Sequence, residues 1–98
     1  MSPSLAEEAL PQIDGSALID GTANIREINK AFDWHLPVDG ARTINGLLLE
    51  ELDDIPMLNT EILIGKYRFI VLAINGNVIK QVRAMPIDLP FKIKQKPS

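Results

Sequence analysis

Residues 13–29 read IDGSALIDGTANIREIN, and this stretch decides the fold because it joins two turns, a strand and the start of a helix. Asp14-Gly15 is typical of a two-residue type I′ hairpin, in which both central residues need positive φ. Ser16–Asp20 is predicted to form the strand that follows this turn. Asp20-Gly21 then breaks the strand, so a helix is expected to start directly after it.

The first helix is predicted over Asn24–Phe32. Thr22 or Asn24 can cap it, and from Asn24 the N3 position is occupied by Glu27, which approaches a capping box. Ile25, Ile28 and Phe32 are spaced to share one face of the helix, which is the face expected to be buried.

A second helix is predicted over Thr43–Leu52, with Thr43 as its N-cap and a leucine-rich apolar face. Gly46 in its first turn costs roughly 1 kcal/mol relative to Ala, which suggests that another backbone comes close there. After Pro56 the periodicity changes from helical to alternating. The strands predicted there are Thr60–Ile64, Tyr67–Ile74 and Val78–Met85. This pattern predicts an α+β domain with a mostly antiparallel sheet packed against two short helices.

Asn75-Gly76 predicts a tight hairpin between the last two strands. A two-residue turn there would place Phe69 opposite Val82, but a three-residue turn is also compatible with the sequence, so the register stays open. The two-residue register puts Ile70, Leu72 and Ile74 on the side away from Phe69. Both faces of this strand are then apolar, which favours a central strand covered on both sides or one face covered by a partner.

The composition of the chain argues against several classes of protein. The chain has 98 residues, enough for one domain with a modest core, and 46% of them are hydrophobic. Its net charge of −3 argues against a nucleic-acid partner, which would require a basic face. There is no cysteine, so disulfides, thiolate nucleophiles and cysteine-based zinc sites are excluded. The longest apolar run, Phe69–Ile74, is too short to span a bilayer.

Both ends of the chain differ in composition from the middle. Residues 1–11 are acidic and contain two prolines, which predicts a linker, and residues 12–86 are predicted to form the folded domain. Residues 87–98 carry Lys92, Lys94 and Lys96 and are predicted to form a mobile basic tail.

The candidate reactive groups are few. The acidic cluster Glu50, Glu51, Asp53 and Asp54 offers the oxygen ligands that Mg²⁺ or Ca²⁺ prefers, although helical spacing does not converge all four side chains. These residues are weak metal candidates, and a structural or solvated role is favoured. His35 is the only histidine and cannot build a His-rich site. Without a nucleophile–base pair, no catalytic residues are assigned and the chain is not expected to be an enzyme.

An ordered series of motifs also carries a family resemblance. The segment over residues 13–29 is followed by Leu36-Pro37, Thr43-Ile44-Asn45-Gly46, Gly65-Lys66-Tyr67 and Ile79-Lys80-Gln81. In this order the series resembles the CorC/HlyC C-terminal domain, also called the transporter-associated domain, over residues 12–86. Residues 20–32 together with His35-Leu36-Pro37 most resemble the CorB-like branch of that family.

The resemblance implies a fold similar to part of the FAD-binding PCMH-type domains. It implies a non-catalytic accessory or regulatory domain on the cytoplasmic side of a bacterial inner-membrane protein associated with magnesium and cobalt transport, some members of which are labelled hemolysin-like. The implied partners are neighbouring CBS and membrane domains, with a homodimer as a further option. No cofactor is expected in the isolated domain, and Mg²⁺ matters to the full-length protein. The alternative is a small-ligand module for flavin adenine dinucleotide or an adenine nucleotide, which rests on fold analogy alone.

Overall fold

The computed structural model describes residues 9–87. Its elements, in chain order, are β1 (Ala9–Pro11), β2 (Ala17–Asp20), α1 (Ile25–Phe32), α2 (Ile44–Glu51), β3 (Glu61–Ile64), β4 (Tyr67–Asn75) and β5 (Val78–Pro86). The strands pair antiparallel in the order β1-β2-β5-β4-β3, so β1 and β3 are the edges. The predicted α+β class, with an antiparallel sheet and two short helices, is confirmed.

Both helices begin at residues that the sequence had indicated as N-caps. The Asn24 side chain accepts a hydrogen bond from the Glu27 N–H, and the Thr43 hydroxyl accepts one from the Gly46 N–H. The first helix ends at Asp33, which adopts a left-handed conformation with φ of 59°. The two capped ends are adjacent, because Asn24 and Thr43 form an isolated antiparallel bridge.

One face of the sheet, the inner face, forms the core with the two helices. The largest fully buried side chains come from both layers: Phe69, Ile19, Ile25, Ile28, Ile44, Leu48, Ile79, Val71 and Val82. Predicted face residues Phe32 and Leu52 are only partly buried at the edge of this cluster. The helices therefore bury one stripe each against a single sheet face.

The turns of two hairpins, β1–β2 at one edge of the sheet and β4–β5 at its centre, differ from the predicted ones. Pro11 pairs with Ala17, so β1 and β2 are joined by five residues, and only Gly15 in that loop has positive φ. The predicted type I′ turn at Asp14-Gly15 is wrong, because it would need positive φ at Asp14 as well. Between β4 and β5 the loop is Gly76-Asn77, since Asn75 still pairs with Val78.

This one-residue change in the turn alters the register of the central hairpin. Phe69 pairs with Ala84, whereas the two-residue turn at Asn75-Gly76 would have placed it opposite Val82. Two register shifts follow between Val71 and Ile74, where Leu72 in β4 and Lys80 in β5 have no direct partner. A bulge of this kind moves the following side chains to the other face.

Hydrogen bonds of Gly21 and Asn45 connect the helical layer to the sheet at the bulge. The Gly21 N–H donates to the Lys80 carbonyl at 2.9 Å, and the Gly21 carbonyl accepts from the Asn45 N–H at 2.7 Å. The Asn45 side-chain oxygen in turn accepts from the Ile79 N–H at 2.8 Å. Backbone groups at the bulge are thus satisfied by Gly21, directly after β2, and by Asn45 in α2.

The close backbone approach that Gly46 suggested lies elsewhere. A Cβ at Gly46 would meet the side chains of Ala41 and Thr43, whereas a Cβ at Gly21 would lie 1.9 Å from the Ile79 carbonyl oxygen. The interpretation of Gly46 was therefore wrong, and Gly21 is the glycine required by a neighbouring backbone.

The division of the chain stays a prediction. The structure adds that Ala9–Pro11, assigned to the linker, pairs with β2 as an edge strand. Residues 1–8, and residues 88–98 of the basic tail, lie outside the described residues.

Candidate functional site

The face of the sheet opposite the helices, here called the outer face, is defined by Leu18, Ile70, Leu72, Met85, Arg68 and Arg83. The register aligns Leu18, Arg83 and Ile70 in one row across β2, β5 and β4. All six side chains are half-buried. Within residues 9–87 neither helix packs on this face, so its apolar side chains flanked by two arginines form a contact surface of mixed character.

The edges of the sheet extend this surface. Leu10 on β1 pairs with Leu18 and is 48% exposed, and Leu63 on β3 pairs with Arg68 and is 55% exposed. Beside Leu63, the Glu61 carboxylate forms an ion pair with the Arg68 guanidinium. The outer face therefore extends to both edge strands. Of its two arginines, Arg68 is already engaged by Glu61.

A polar network closes the outer face near the β1–β2 loop. The Ser16 hydroxyl donates to Asp14 Oδ1 at 2.6 Å, and the Arg83 guanidinium donates to the Ser16 hydroxyl at 3.3 Å. Hydrogen bonding from the Ser16 side chain is the main cause that lowers the pKa of Asp14, with the nearby Arg83 charge adding to it. The network holds Asp14 as a carboxylate and fixes one side of Arg83.

The interaction residues predicted from sequence are only partly correct. Leu72 lies on the outer face as expected, but Ile74 packs against the core, because the bulge turns it to the inner face beside Ile79. Met85 and Arg83 were missed. The alternation of buried Val82 and Ala84 with these two half-buried residues along β5 is the pattern that indicates them.

The weak metal candidates lie at the surface of the domain. All four are exposed: Glu50, Glu51, Asp53 and Asp54. The Glu50 carboxylate approaches Gly40, and Asp54 Oδ1 accepts the Ile55 N–H at 2.8 Å, so these two side chains have different surroundings. Among residues 9–87 no group of three or more histidine, cysteine or acidic side chains is placed to hold a metal ion.

Two grooves lie on the helical side. One, of about 410 Å³, is lined by His35, Pro37, Ile64, Gly65, Lys66 and Tyr67. The Tyr67 hydroxyl accepts the His35 N–H at 2.7 Å, and its ring stacks at 5.1 Å from Trp34. The other, of about 370 Å³, lies at the start of α1 and is bordered by Arg26, Arg42 and Asp39. Neither groove combines a deep apolar cavity with convergent polar groups.

Comparison with known proteins agrees with the fold. The sequence model of the transporter associated domain, CorC_HlyC, matches residues 11–88. The UPF0053 inner membrane protein YfjD of Escherichia coli K12 is 59% identical over 87 residues, which is 89% of this chain and 20% of that protein. The chain therefore spans about a fifth of the length of this relative and of the UPF0053 protein of Haemophilus influenzae, to which it is 42% identical over 86 residues.

Solved structures show the same architecture. A functionally unknown conserved protein from Haemophilus influenzae has a TM-score of 0.77 and 42% identity, covering 82% of this chain and 99% of that one. The CorC_HlyC domain of a Xylella fastidiosa hemolysin in complex with Mg²⁺ and Mn²⁺ has a TM-score of 0.70 and 21% identity, covering 82% and 98% of the two chains. Among the described residues of the present chain, no helix is long and apolar enough to cross a membrane.

Proposed function

Because the chain belongs to the transporter-associated domain family, we propose that it is the accessory, regulatory domain of a larger inner-membrane protein and acts through protein contacts rather than catalysis. The outer face carries the proposal. Its half-buried apolar side chains, Leu18, Ile70, Leu72 and Met85, need a second layer to leave water, and the helices already occupy the opposite face.

The proposed partner is the remainder of the same full-length protein. The chain spans 20% of its Escherichia coli relative, which is an inner membrane protein, so most of that relative lies outside the matched region. We assign the outer face to a neighbouring cytoplasmic CBS pair, through which this domain would influence magnesium or cobalt transport. Arg68 and Arg83 favour a partner surface that combines apolar and acidic groups.

The test is a titration of the ¹⁵N-labelled chain with the remaining cytoplasmic part of its full-length protein. Shift changes should cluster on the outer face, and Ile70→Asp should abolish them, because a charge would be buried against the partner. Ile55→Asp is the matched control, since Ile55 is 63% exposed in the loop after α2. Shifts on the helical side, or equal loss in both variants, would contradict the proposal.

Two further measurements distinguish the proposed function from self-association and from small-ligand binding. Sedimentation of the chain and of Ile70→Asp identifies a second copy as the partner if only the former self-associates. An absorption spectrum and thermal unfolding with FAD, ATP and Mg²⁺, each added separately, test the small-ligand function. Stoichiometric flavin or a large nucleotide-dependent stabilisation would replace the contact function with a ligand-binding one.

A further inference from the structure

The described part of the chain stops beside one of the grooves. The Ile87 N–H donates to the Lys66 carbonyl at 2.7 Å, and Lys66 belongs to the β3–β4 turn. The groove lined by His35, Pro37, Ile64, Gly65, Lys66 and Tyr67 has about 410 Å³ and starts at this turn. The groove therefore lies within reach of the residues that follow Ile87.

Next to the groove lies the free edge of the sheet. Within residues 9–87, β3 pairs with β4 only, so one row of its backbone N–H and C=O groups has no strand partner there. Ile62 and Ile64 are buried on the inner side, while Glu61 and Leu63 are exposed. An edge of this kind accepts a further strand.

The sequence after Ile87 has the pattern of such a strand. Residues 88–98 read DLPFKIKQKPS, in which Phe91 and Ile93 alternate with lysines over a stretch bounded by Pro90 and Pro97. Alternating apolar and charged residues between prolines are typical of a short edge strand. Phe91 and Ile93 are the apolar side chains that the stretch between these prolines offers to a groove and an open strand edge.

We propose that residues 88–98 dock on their own domain, with Phe91 in the groove and residues 92–96 along β3. The four residues from Ile87 to Phe91 can reach up to ~14 Å, which is ample for a groove that starts at the residue Ile87 contacts. Since β3 runs from Glu61 towards the groove at Ile64, a chain leaving the groove along β3 runs antiparallel to it.

In this arrangement the alternation of apolar and charged residues after Pro90 matches the alternation of buried and exposed residues along β3. With Phe91 on the inner side, Ile93 lies on the side of Ile62 and Ile64 and extends the core. The intervening lysines then lie on the side of Glu61, where an opposite charge across the strands is favourable. The docked segment covers an apolar groove and an open edge together, and it leaves the outer face free.

Amide exchange of the full chain, followed by NMR, tests the proposal. The β3 N–H groups that point away from β4 should exchange about tenfold more slowly in the unaltered chain than in Phe91→Ser, because only the former has the added strand. Phe91→Leu should retain most of the protection. Ile13→Ser is the control, because Ile13 lies fully exposed in the β1–β2 loop, and it should leave β3 exchange unchanged.

Nuclear Overhauser effects from the Phe91 ring to Ile64 and Tyr67 provide the direct readout. Equal exchange in the unaltered chain and Phe91→Ser, together with absence of these effects, would overturn the proposal. Protection that disappears on dilution would also overturn it, since the segment would then dock on another molecule. The Ile70→Asp variant should keep the protection, so that failure of the outer-face function is recognised separately.

Discussion

Replacing Gly21 by Ala should destabilise the domain more than any other single methyl added to a glycine in its described part. The new Cβ would lie 1.9 Å from the Ile79 carbonyl oxygen, whereas Cβ contacts below 3.0 Å are essentially never seen. Relief needs a shift of about 1.1 Å (3.0 minus 1.9) between two backbones. Such a shift breaks the bonds from Gly21 to Lys80 and from Asn45 to Gly21, at 2.9 and 2.7 Å.

Each buried backbone group left without a partner costs about 1–3 kcal/mol. The lower entropy of the unfolded Ala chain returns only about 0.4–1 kcal/mol. The expected loss in the free energy of unfolding is therefore about 2–5 kcal/mol, a large share of the stability of a domain of this size.

Urea denaturation followed by circular dichroism measures this loss. Gly40→Ala is the matched control, because its Cβ would meet only the flexible end of Glu50, at 3.2 Å, and it should change stability by less than about 1 kcal/mol. Equal midpoints for the two variants would refute the account of Gly21, since the backbone contact at β5 would then be adaptable.

Two further predictions follow from the same hydrogen bonds and from the loop network. Asn45→Ala should lower the free energy of unfolding by about 1–3 kcal/mol, because the Ile79 N–H loses its acceptor, while Asn45→Asp keeps an oxygen there and should cost less in the same denaturation assay. An NMR titration should find the pKa of Asp14 below its ordinary value, and Ser16→Ala should raise it by removing the main donor. Because the folded-state pKa is lowered, the stabilisation by Asp14 is present above the unfolded pKa and is lost as pH falls through the folded one; an unchanged pKa in Ser16→Ala would contradict the assigned cause.

Local patterns predicted every described element except β1, whose residues had been assigned to the linker, because each predicted element is specified by neighbouring residues. Asn24 and Thr43 are caps whose partners lie three residues away, and the alternation after Pro56 depends only on the β period. The predicted strands Thr60–Ile64 and Tyr67–Ile74 leave Gly65-Lys66 between them, and the structure has a two-residue turn there, with Ile64 paired to Tyr67.

The features that the sequence did not predict depend on residues far apart. At the bulge the Lys80 carbonyl is satisfied by Gly21, directly after β2, and the Ile79 N–H by Asn45 of α2, both far from β4 and β5 in sequence. Ile74 was assigned to the contact face because nothing in the neighbouring sequence indicates that its side chain turns inward. The structure shows that this assignment was wrong. The existence of a second apolar face was predicted, because the sequence shows apolar side chains on both sides of β4 whatever its register with β5.

The uncovered outer face has an energetic consequence for the whole protein. A 98-residue chain has a modest core, and within residues 9–87 the helices cover one of the two sheet faces. Apolar area buried against a partner contributes about 25 cal/mol per Å², so any partner that covers Leu18, Ile70, Leu72 and Met85 also stabilises the folded domain. A change in that contact, driven elsewhere in the full-length protein, would then be felt as a change in the stability of this domain. This linkage is the physical route by which the proposed contact would couple the domain to its neighbour.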